Sequence, residues 1–508
     1  RERSELLSVT AVFYVARMNA TITSSTIIGV EPHPVRIEAH VGGGSKPIFI
    51  IVGLPDAAVR EAKERVRAAM ASSGHPFPAK RVVVNLSPAD LPKVGSAYDL
   101  PIALGVLAAN GKLPPGATDV VAMGELALDG TVRPARGGLS AALVARDLDR
   151  PCLLPLRSAA ETAGREDLGV VGVRSLSHAM EVAAGRHPGD EIETLSPRVV
   201  EIPDISEVRG QSGARAALEV AAAGGHHLLF RGPPGSGKTM LARTLPGLLP
   251  PLDDRESHDV ALVWAAAGLS RPDPSVPPFR SPHHSASMAA FIGGGSGVPT
   301  PGEAVMAHRG ILFLDELGEF PPQLLDALRA PIEDGAVVVA RKAATVEFPC
   351  RTQVVAATNP CPCGFEGDRT FDCGCTESMK ARYKRRFSGP FLDRFDLQVE
   401  VPRLRVLEIS GPRGESSREV RARVTAARRR QFDERGRLNR ELGRRDLDAL
   451  EWTGDAVARL GEAAAGDRLT ARGWDRIRRV ARTVADLAGS DAVDGGHIET
   501  ALGMRVTL

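Results

Sequence analysis

A glycine-rich segment in the middle of the chain has the residue types and the spacing of a phosphate-binding loop. Its sequence is Gly232-Pro233-Pro234-Gly235-Ser236-Gly237-Lys238-Thr239. An apolar stretch at 228–230 predicts a strand before it, and we predict that a helix follows it and ends before Pro246. Glycines let backbone N–H groups converge on phosphates, and a helix N-terminus favours their negative charge. We therefore expect nucleotide binding, with Lys238 at the β- and γ-phosphates and Thr239 on Mg²⁺.

Polar side chains follow two further apolar stretches. The stretch at 311–314 runs into Asp315 and Glu316, and the stretch at 354–358 runs into Asn359. If both are buried parallel strands, their carboxyl ends lie beside the phosphate loop. We expect Asp315 to hold Mg²⁺ through water and Glu316 to polarise the attacking water. Asn359 could orient that water from the other side, or it could simply open the turn before Pro360.

Four of the six cysteines are crowded into fifteen positions. Cys361, Cys363, Cys373 and Cys375 form two C-x-C pairs separated by nine residues. Four thiolates can close a tetrahedral Zn²⁺ shell, although C-x-C is tighter than the common C-x₂-C spacing. Redox-active thiols and buried thiols are the other interpretations. Six cysteines in 508 residues are too few for a disulfide scaffold and favour a cytoplasmic protein.

Two basic runs are candidates for contact with a nucleic-acid backbone. The first spans residues 380–386, with Tyr383 inside it and Phe387 after it. The second lies on a predicted helix and consists of Arg421, Arg423, Arg428, Arg429 and Arg430. Phosphate contact is one interpretation, and an ordinary solvated face is the other.

Composition limits the class of protein. A chain of 508 residues predicts several domains, and no stretch has the roughly 18 uncharged apolar residues of a membrane span. Since 64 basic and 62 acidic residues leave a net charge of +2, any nucleic-acid affinity must come from local patches. We predict an extension at 1–19, an α+β domain at 20–185, a linker at 186–205, an α/β domain at 206–404 and a helical domain at 405–508.

The α+β prediction rests on two patterns near the start of the chain. Apolar residues alternate with polar ones through 35–41, which indicates a strand with one wet face. Asp56 can then cap a helix, and Gly74 can end it. The apolar side of that helix consists of Val59, Ala62, Val66, Ala69 and Met70.

Together these motifs resemble those of the ComM/YifB family of magnesium-chelatase-like AAA+ ATPases. The resemblance covers Walker A at 232–239, Walker B at 311–316, Asn359 as a sensor and Arg394 in a Leu-Asp-Arg-Phe motif. More specific are the stretches at 280–287 (RSPHHSAS), 359–364 (NPCPCG) and 470–483 (TARGWDRIRRVART). The resemblance implies a Lon-protease-like first domain, a P-loop AAA+ core and a helical lid.

Roles for individual residues follow from the same resemblance. Arg394 would be an arginine finger acting on a neighbouring subunit's nucleotide, Arg472 a second sensor in the lid, and Gln211 part of the nucleotide-base pocket. Gly293–Gly295 would lie in a helix-2 insert and Arg341 with Lys342 at a hairpin tip, both facing the pore of a ring. The family implies ATP and Mg²⁺ as ligands and a homo-oligomer, a hexamer in our prediction.

Proteolysis by the first domain is not expected. Lon proteases use a serine and lysine dyad, with the lysine in a Gly-Gly-Leu-Lys context, and the matching stretch here is Gly137-Gly138-Leu139-Ser140. The segment around Ser96 is near the serine motif, but without a base serine attack is too slow. A structural or partner-docking role is the better interpretation.

The motifs themselves predict an ATPase, and the resemblance implies that hydrolysis drives movement on single-stranded or branched DNA, as in a branch-migration helicase of recombination and natural transformation. The alternative is a magnesium-chelatase-type motor subunit acting on a protein partner without DNA. A scaffold that binds nucleotide without hydrolysing it is disfavoured, because Lys238, Asp315 and Glu316 are all present. No membrane association is expected.

Overall fold

The structure is a computed structural model, and the residues it describes fall into two compact units. The described residues are 18–43, 47–162, 166–193, 200–271, 273–295, 297–341, 344–368, 370–387, 389–405, 408, 410–465 and 470–505. Residues up to 193 and 264–270 form the N-terminal unit, and residues 200–263 and 271–505 form the C-terminal unit. Most of the predicted extension, and Lys342, lie outside the described residues.

The N-terminal unit is a mixed sheet with helices. Its strands are β1 (Asn19–Ile28), β2 (Glu31–Gly42), β3 (Ile48–Val52), β4 (Arg81–Ser87), β5 (Val121–Ala122), β6 (Glu125–Leu126), β7 (Val132–Arg133), β8 (Cys152–Pro155) and β9 (Val170–Val173). Its helices are α1 (Ala57–Ser72), α2 (Asp99–Ala109), α3 (Gly138–Asp147), α4 (Leu156–Ala160) and α5 (Leu176–Ala183). Seven of the strands form one sheet in the order β3-β4-β2-β1-β5-β8-β9.

Both local predictions for this unit are confirmed. The apolar residues of β2 from Val35 onward are buried on one face of the sheet. Asp56 caps α1 by accepting a hydrogen bond from the Val59 N–H at 2.8 Å. The five predicted apolar positions of α1 are its buried residues.

The C-terminal unit contains a five-stranded parallel sheet. The strands of the unit are β10 (Leu228–Arg231), β11 (Phe279–Arg280), β12 (Gly293–Gly294), β13 (Thr300–Pro301), β14 (Ile311–Leu314), β15 (Ala336–Ala340), β16 (Thr345–Pro349), β17 (Gln353–Thr358) and β18 (Leu397–Glu400). The sheet order is β11-β14-β17-β10-β18. The pairs β12/β13 and β15/β16 are separate antiparallel ribbons.

The remaining helices lie before, between and after those strands, and they belong to the C-terminal unit except for the last three residues of the helix at 254–266. They are α6 (Ser212–Gly224), α7 (Lys238–Leu248), α8 (Asp254–Ala266), α9 (Met288–Phe291), α10 (Glu303–Met306), α11 (Pro322–Ala327), α12 (Arg329–Asp334), α13 (Glu377–Lys384), α14 (Gly389–Leu392), α15 (Ser417–Arg435), α16 (Arg444–Asp448), α17 (Gly454–Ala465), α18 (Ala471–Leu487) and α19 (Gly495–Gly503). The predicted α/β part is thus followed by a helical part.

The order of the parallel strands brings the predicted polar residues together. Strand β17 pairs with β10 on one side and with β14 on the other. The loop after β10, Asp315 after β14 and Asn359 after β17 therefore leave the same edge of the sheet. Ligands bind at this carboxyl edge in open α/β sheets.

The prediction that the helix after the phosphate loop ends before Pro246 is wrong. Helix α7 runs through Pro246 to Leu248, and its residues Leu241, Leu245 and Leu248 are completely buried. Proline removes one backbone hydrogen bond, but burial of several leucines outweighs that loss.

One hydrophobic core joins the sheet to the C-terminal helices. Phe313 and Val355 of the sheet belong to the same buried cluster as Val424 of α15 and Ile477 of α18. The predicted core and lid segments therefore form a single compact unit. Among the described residues, no helix is both long and apolar enough to cross a bilayer.

Candidate functional site

The phosphate loop and Asn359, the residue that follows β17 by one position, meet at Lys238. Gly237 caps α7 in the left-handed region (φ 95°), a conformation that suits glycine, and Lys238 is the first residue of the helix. Its Nζ donates to the carbonyl oxygens of Gly232 at 2.7 Å and Pro233 at 2.9 Å. The same atom lies 3.3 Å from Oδ1 of Asn359. Burial lowers the pKa of Lys238 to about 8, against the opposing effect of Asp315 and Glu316.

The predicted magnesium ligands are in contact with each other. Thr239 Oγ1 donates to Asp315 Oδ2 at 2.8 Å. Hydroxyl and carboxylate oxygens are the hard ligands that Mg²⁺ prefers, so this pair fits the ion. Ser236 Oγ in the same loop is buried and has no hydrogen-bond partner among the described residues. The loop thus carries a polar group suited to a bound anion.

Glu316 occupies an unusual backbone conformation. Its φ of 51° lies in the left-handed region, which costs a non-glycine residue about 1–2 kcal/mol. Such strain is concentrated at functional sites. Its Oε2 lies 3.9 Å from Nδ1 of His284, whose ring centroid lies 4.0 Å from that of His283. His284 is a neighbour that the sequence analysis missed, although it lies in the family-specific stretch at 280–287.

Gln211 contacts the phosphate loop itself. It precedes α6 with φ 51°, and its Nε2 donates to the carbonyl oxygens of Ser236 at 3.1 Å and Pro402 at 2.7 Å. Its side chain is buried. The described contacts of Gln211 therefore tie the loop to the chain after β18.

Arg394 and Arg472 line one cavity, which is separate from the phosphate loop. The cavity has a volume of about 590 Å³, and no phosphate-loop residue lines it. Arg394 is paired with Glu333. Arg472 is exposed on the first turn of α18. The wall contains four further arginines and also six carboxylates, so it carries both signs of charge in equal number: Arg351, Arg440, Arg476 and Arg479, with Glu333, Asp334, Asp393, Asp396, Glu441 and Asp475.

The β15/β16 hairpin and the β12/β13 ribbon are adjacent. The Arg341 N–H donates to the Ala344 carbonyl at 2.9 Å near the end of the hairpin, where the Arg341 side chain is exposed. A Cβ added at Gly294 would lie 3.1 Å from Nη2 of Arg341, and one at Gly293 would lie 3.3 Å from Val339. The two predicted pore-facing loops thus lie in close contact with each other.

The four cysteines converge into a single cluster. Their sulfur atoms all lie within 4.8 Å of one another. Cys361 is 3.3 Å from Cys363 and 3.6 Å from Cys373, and Cys363 is also 3.6 Å from Cys373. A hydrogen bond from the Phe365 N–H lowers the pKa of Cys363 to about 6. Four sulfurs at this separation match a tetrahedral metal site.

The two basic runs differ in how many of their side chains are paired with other groups of the protein. In the run at 380–386, Lys380 pairs with Glu377 and Glu366, whereas Arg382, Lys384 and Arg385 are exposed. Tyr383 and Phe387 are buried, so these rings are not free to stack on bases.

The arginines of α15 mostly bind the protein. The Nε atoms of Arg421 and Arg428 donate to the carbonyl oxygens of Gly247 and Ala222. Arg423 pairs with Glu219 and Glu415, and Arg430 with Glu434 and Asp491. Arg429 is the exposed member of the run.

Ser96, the candidate serine of the N-terminal unit, contacts a glutamate and not a lysine. Ser96 donates to the carboxylate of Glu125. Lys93 is buried and donates to the Pro88 carbonyl. Within the described residues, no hydrogen bond joins Ser96 to a lysine.

Three family models match separate parts of the chain. Residues 204–409 match the model described as "Magnesium chelatase, subunit ChlI". Residues 37–157 match "Subunit ChlI of Mg-chelatase", and residues 414–505 match "Magnesium chelatase, subunit ChlI C-terminal".

Comparison with individual proteins gives the same assignment. The protein YifB of Salmonella typhimurium is 40% identical over 503 residues, which is 96% of this chain and 97% of that protein. Competence protein ComM of Haemophilus influenzae is 40% identical over 501 residues, 96% of this chain and 97% of its own. Lon protease 2 of Bacillus subtilis is 30% identical over 159 residues, 28% of each chain. The chain belongs to the ComM/YifB family of magnesium-chelatase-like proteins.

Proposed function

We propose that this protein is an ATP hydrolase that assembles into a ring, a hexamer, and couples hydrolysis to movement on single-stranded or branched DNA. The observation that carries the ATPase part is the convergence of Lys238, the Thr239–Asp315 pair and Asn359 at one edge of the sheet. These are the groups that phosphoryl transfer requires for charge neutralisation, metal binding and positioning of water.

Each residue has its own part in hydrolysis. Lys238 and the loop N–H groups hold the phosphates, and Thr239 and Asp315 hold Mg²⁺. The bound ion would neutralise charge on the phosphate oxygens. Glu316 polarises the attacking water, while Asn359 orients it and keeps Lys238 in place. His284 Nδ1 lies 3.9 Å from Oε2 of Glu316, so the histidine is a neighbour of the carboxylate that would polarise the water.

Arg394 and Arg472 act together on the nucleotide of a neighbouring subunit. Their shared cavity supports this proposal, because it lies apart from the chain's own phosphate loop, which leaves both arginines placed to act on a nucleotide other than the one that loop would bind. Hydrolysis would then depend on assembly, since the transition-state charge is neutralised only at a subunit boundary.

DNA is the proposed substrate of the motor. Support comes from the name of the relative ComM, a competence protein, and from the exposed Arg341 beside Gly294. Arg341 and Lys342 would contact phosphates in the pore, and the exposed basic residues of α13 would add a second contact. For the N-terminal unit we propose a Lon-protease-like fold without protease activity, acting as a structural or docking module.

The proposed ligands are ATP, Mg²⁺ and one structural Zn²⁺. The zinc would be held by Cys361, Cys363, Cys373 and Cys375, whose clustered sulfurs support the assignment. All four are free thiols here, so no disulfide competes with the metal.

ATPase assays with and without DNA test the function. The purified chain should hydrolyse ATP, and single-stranded and forked DNA should stimulate it several-fold. Glu316→Gln is the control that shows the activity belongs to this site. An ATPase rate that DNA does not change, together with no retardation of forked DNA at low salt, would favour the alternative of a chelatase-type motor acting on a protein partner.

A further inference from the structure

We propose that the cysteine segment, residues 361–375, and the helix α13 that follows it hold two walls of the ATP site in place, so that metal binding at the cysteines controls ATP hydrolysis. The inference rests on the proposed ATPase and zinc site. It adds a regulation of that site: loss of the metal should disturb nucleotide binding and catalysis without touching any nucleotide-binding residue.

The first contact is with the phosphate loop. Gly364, between Cys363 and the rest of the segment, has φ 85°. A Cβ added there would lie 2.5 Å from Cδ of Pro234, closer than real Cβ contacts allow. Glu366 also pairs with Arg231, the last residue of β10, at 3.6 Å. The segment therefore packs directly against the loop that binds phosphates.

The second contact is with the catalytic side of the site. Helix α13 begins directly after Cys375, with Thr376 as its cap. The hydroxyl of Tyr383 in α13 lies 3.1 Å from Oγ1 of Thr358, the residue before Asn359. Tyr383 thus supports the end of β17, which Asn359 follows directly.

The same helix end contacts the turn that carries Glu316. Arg386 Nη1 donates to the Gly318 carbonyl at 2.8 Å, two residues after Glu316. A Cβ added at Gly318 would lie 2.5 Å from the Tyr383 hydroxyl, so helix and turn are in close contact. A shift of α13 would move Glu316 and Asn359 together.

The metal provides the order that the segment lacks. Of its four cysteines only Cys361 is fully buried, and Phe371 is 48% exposed, so little apolar surface fixes the segment. Metal–thiolate bonds replace a hydrophobic core in such loops. Without the metal, Gly364 and α13 would no longer be held at a fixed separation.

Zinc removal from the full-length protein is the first test. Zinc per chain, affinity for a fluorescent ADP and kcat for ATP are measured before chelation, after it and after Zn²⁺ is restored. About one zinc per chain is expected. Its loss should lower kcat by about tenfold to a hundredfold, as expected for small displacements of catalytic groups, and restored zinc should reverse the change. Cys373→Ser should behave as the chelated protein does, whereas Cys152→Ala, which removes a thiol of the N-terminal unit, should keep its zinc and its kcat.

Two further variants separate the two walls while leaving the thiols intact. Gly364→Ala should weaken affinity for fluorescent ADP by about tenfold, because its Cβ meets Pro234. Its φ of 85° also disfavours alanine beside Cys363, so its zinc content is measured in the same samples. Tyr383→Phe keeps the ring and loses the hydroxyl contact to Thr358, so it should lower kcat and leave ADP affinity unchanged. A purely structural role would change both quantities in parallel through loss of folded protein, which thermal melting would reveal.

Several results would overturn the inference. These are a metal-free wild type with four freely alkylated thiols, a zinc-free protein with normal kcat and ADP affinity, or a Gly364→Ala variant that binds ADP like the wild type. Failure of the proposed function looks different. In that case zinc-loaded wild type would lack DNA-stimulated ATPase, while ADP affinity would still respond to zinc.

Discussion

In the proposed mechanism, Lys238 and Glu316 belong to one site but have separable roles. Lys238 is part of the phosphate cradle, with its Nζ surrounded by loop carbonyls and Asn359. Glu316 lies after β14 and does not contact the loop backbone in any described hydrogen bond. Removing the lysine should therefore affect binding, and neutralising the glutamate should affect hydrolysis.

The first prediction compares Lys238→Ala with Glu316→Gln. Lys238→Ala should abolish nucleotide binding, because an ammonium group that neutralises the phosphates is lost. Glu316→Gln should bind ATP normally and hydrolyse it at least a hundredfold more slowly, roughly the cost of losing a catalytic group. Fluorescent-nucleotide titration and phosphate release measure the two effects. An equal loss of affinity in both variants would contradict the division of roles.

A buried histidine gives a pH-dependent prediction. His308 is 2% exposed, and burial lowers its pKa to about 4. Its Nδ1 accepts a hydrogen bond from the Arg351 N–H at 3.1 Å, so the neutral ring is the favoured form. Since the unfolded chain binds the proton more tightly, unfolding is favoured as the pH falls below the unfolded value near 6.5.

The expected loss is about 2 kcal/mol of unfolding free energy between pH 7 and pH 5 from this group alone. Urea denaturation followed by tryptophan fluorescence at several pH values measures it. His308→Asn keeps an acceptor for the Arg351 N–H but cannot titrate, so its stability should depend less on pH in that window. An unchanged pH dependence in the variant would argue against this assignment.

The positions of individual site residues could be predicted where one structural rule places several polar groups together. Polar residues at the ends of buried strands converge because parallel strands share an edge, and Asp315 and Asn359 follow that rule. His284 and Tyr383 do not, since each reaches the site through tertiary packing rather than through a strand end. The left-handed conformation of Glu316 also has no sequence signal, because turn geometry imposes it on a residue that disfavours it.

Elements were predictable where a local pattern agrees with the final packing. Helix α1 was predicted from its cap and one apolar side, and both are present. Helix α7 was predicted too short, because the leucines on either side of Pro246 are buried by the core and not by the helix itself. The arginines of α15 have the sequence pattern of a basic surface. Most of them, however, donate to carbonyl or carboxylate groups of the C-terminal unit.

The hairpin of β15 and β16 leads to a prediction about how DNA affinity depends on salt concentration. If Arg341 contacts a phosphate, Arg341→Ala should weaken DNA binding and lower the slope of log affinity against log salt by about one. Binding isotherms on forked DNA at several salt concentrations measure the slope. Arg429→Ala removes an exposed arginine of α15 and should leave it unchanged. Equal slopes for Arg341→Ala and the wild type would remove the hairpin from the DNA interface.

At the scale of the whole molecule, the account requires sites shared between subunits. Arg394 and Arg472 line a cavity apart from the chain's own phosphate loop. If both complete a neighbour's site, mixed rings of Arg394→Ala and Glu316→Gln subunits will contain some interfaces with an intact Glu316 and an intact Arg394. ATPase activity should therefore rise on mixing two inactive variants. No recovery at any ratio, with mixed rings demonstrated, would make Arg394 a structural residue.

Movement of DNA tests the central claim most directly. A labelled strand in a forked or branched DNA is incubated with the full-length protein, Mg²⁺ and ATP, and its displacement is followed over time. The account predicts displacement by the wild type with ATP, and none by Glu316→Gln or with a non-hydrolysable ATP analogue. No displacement by an ATPase-active wild type, or equal displacement by Glu316→Gln, would contradict it.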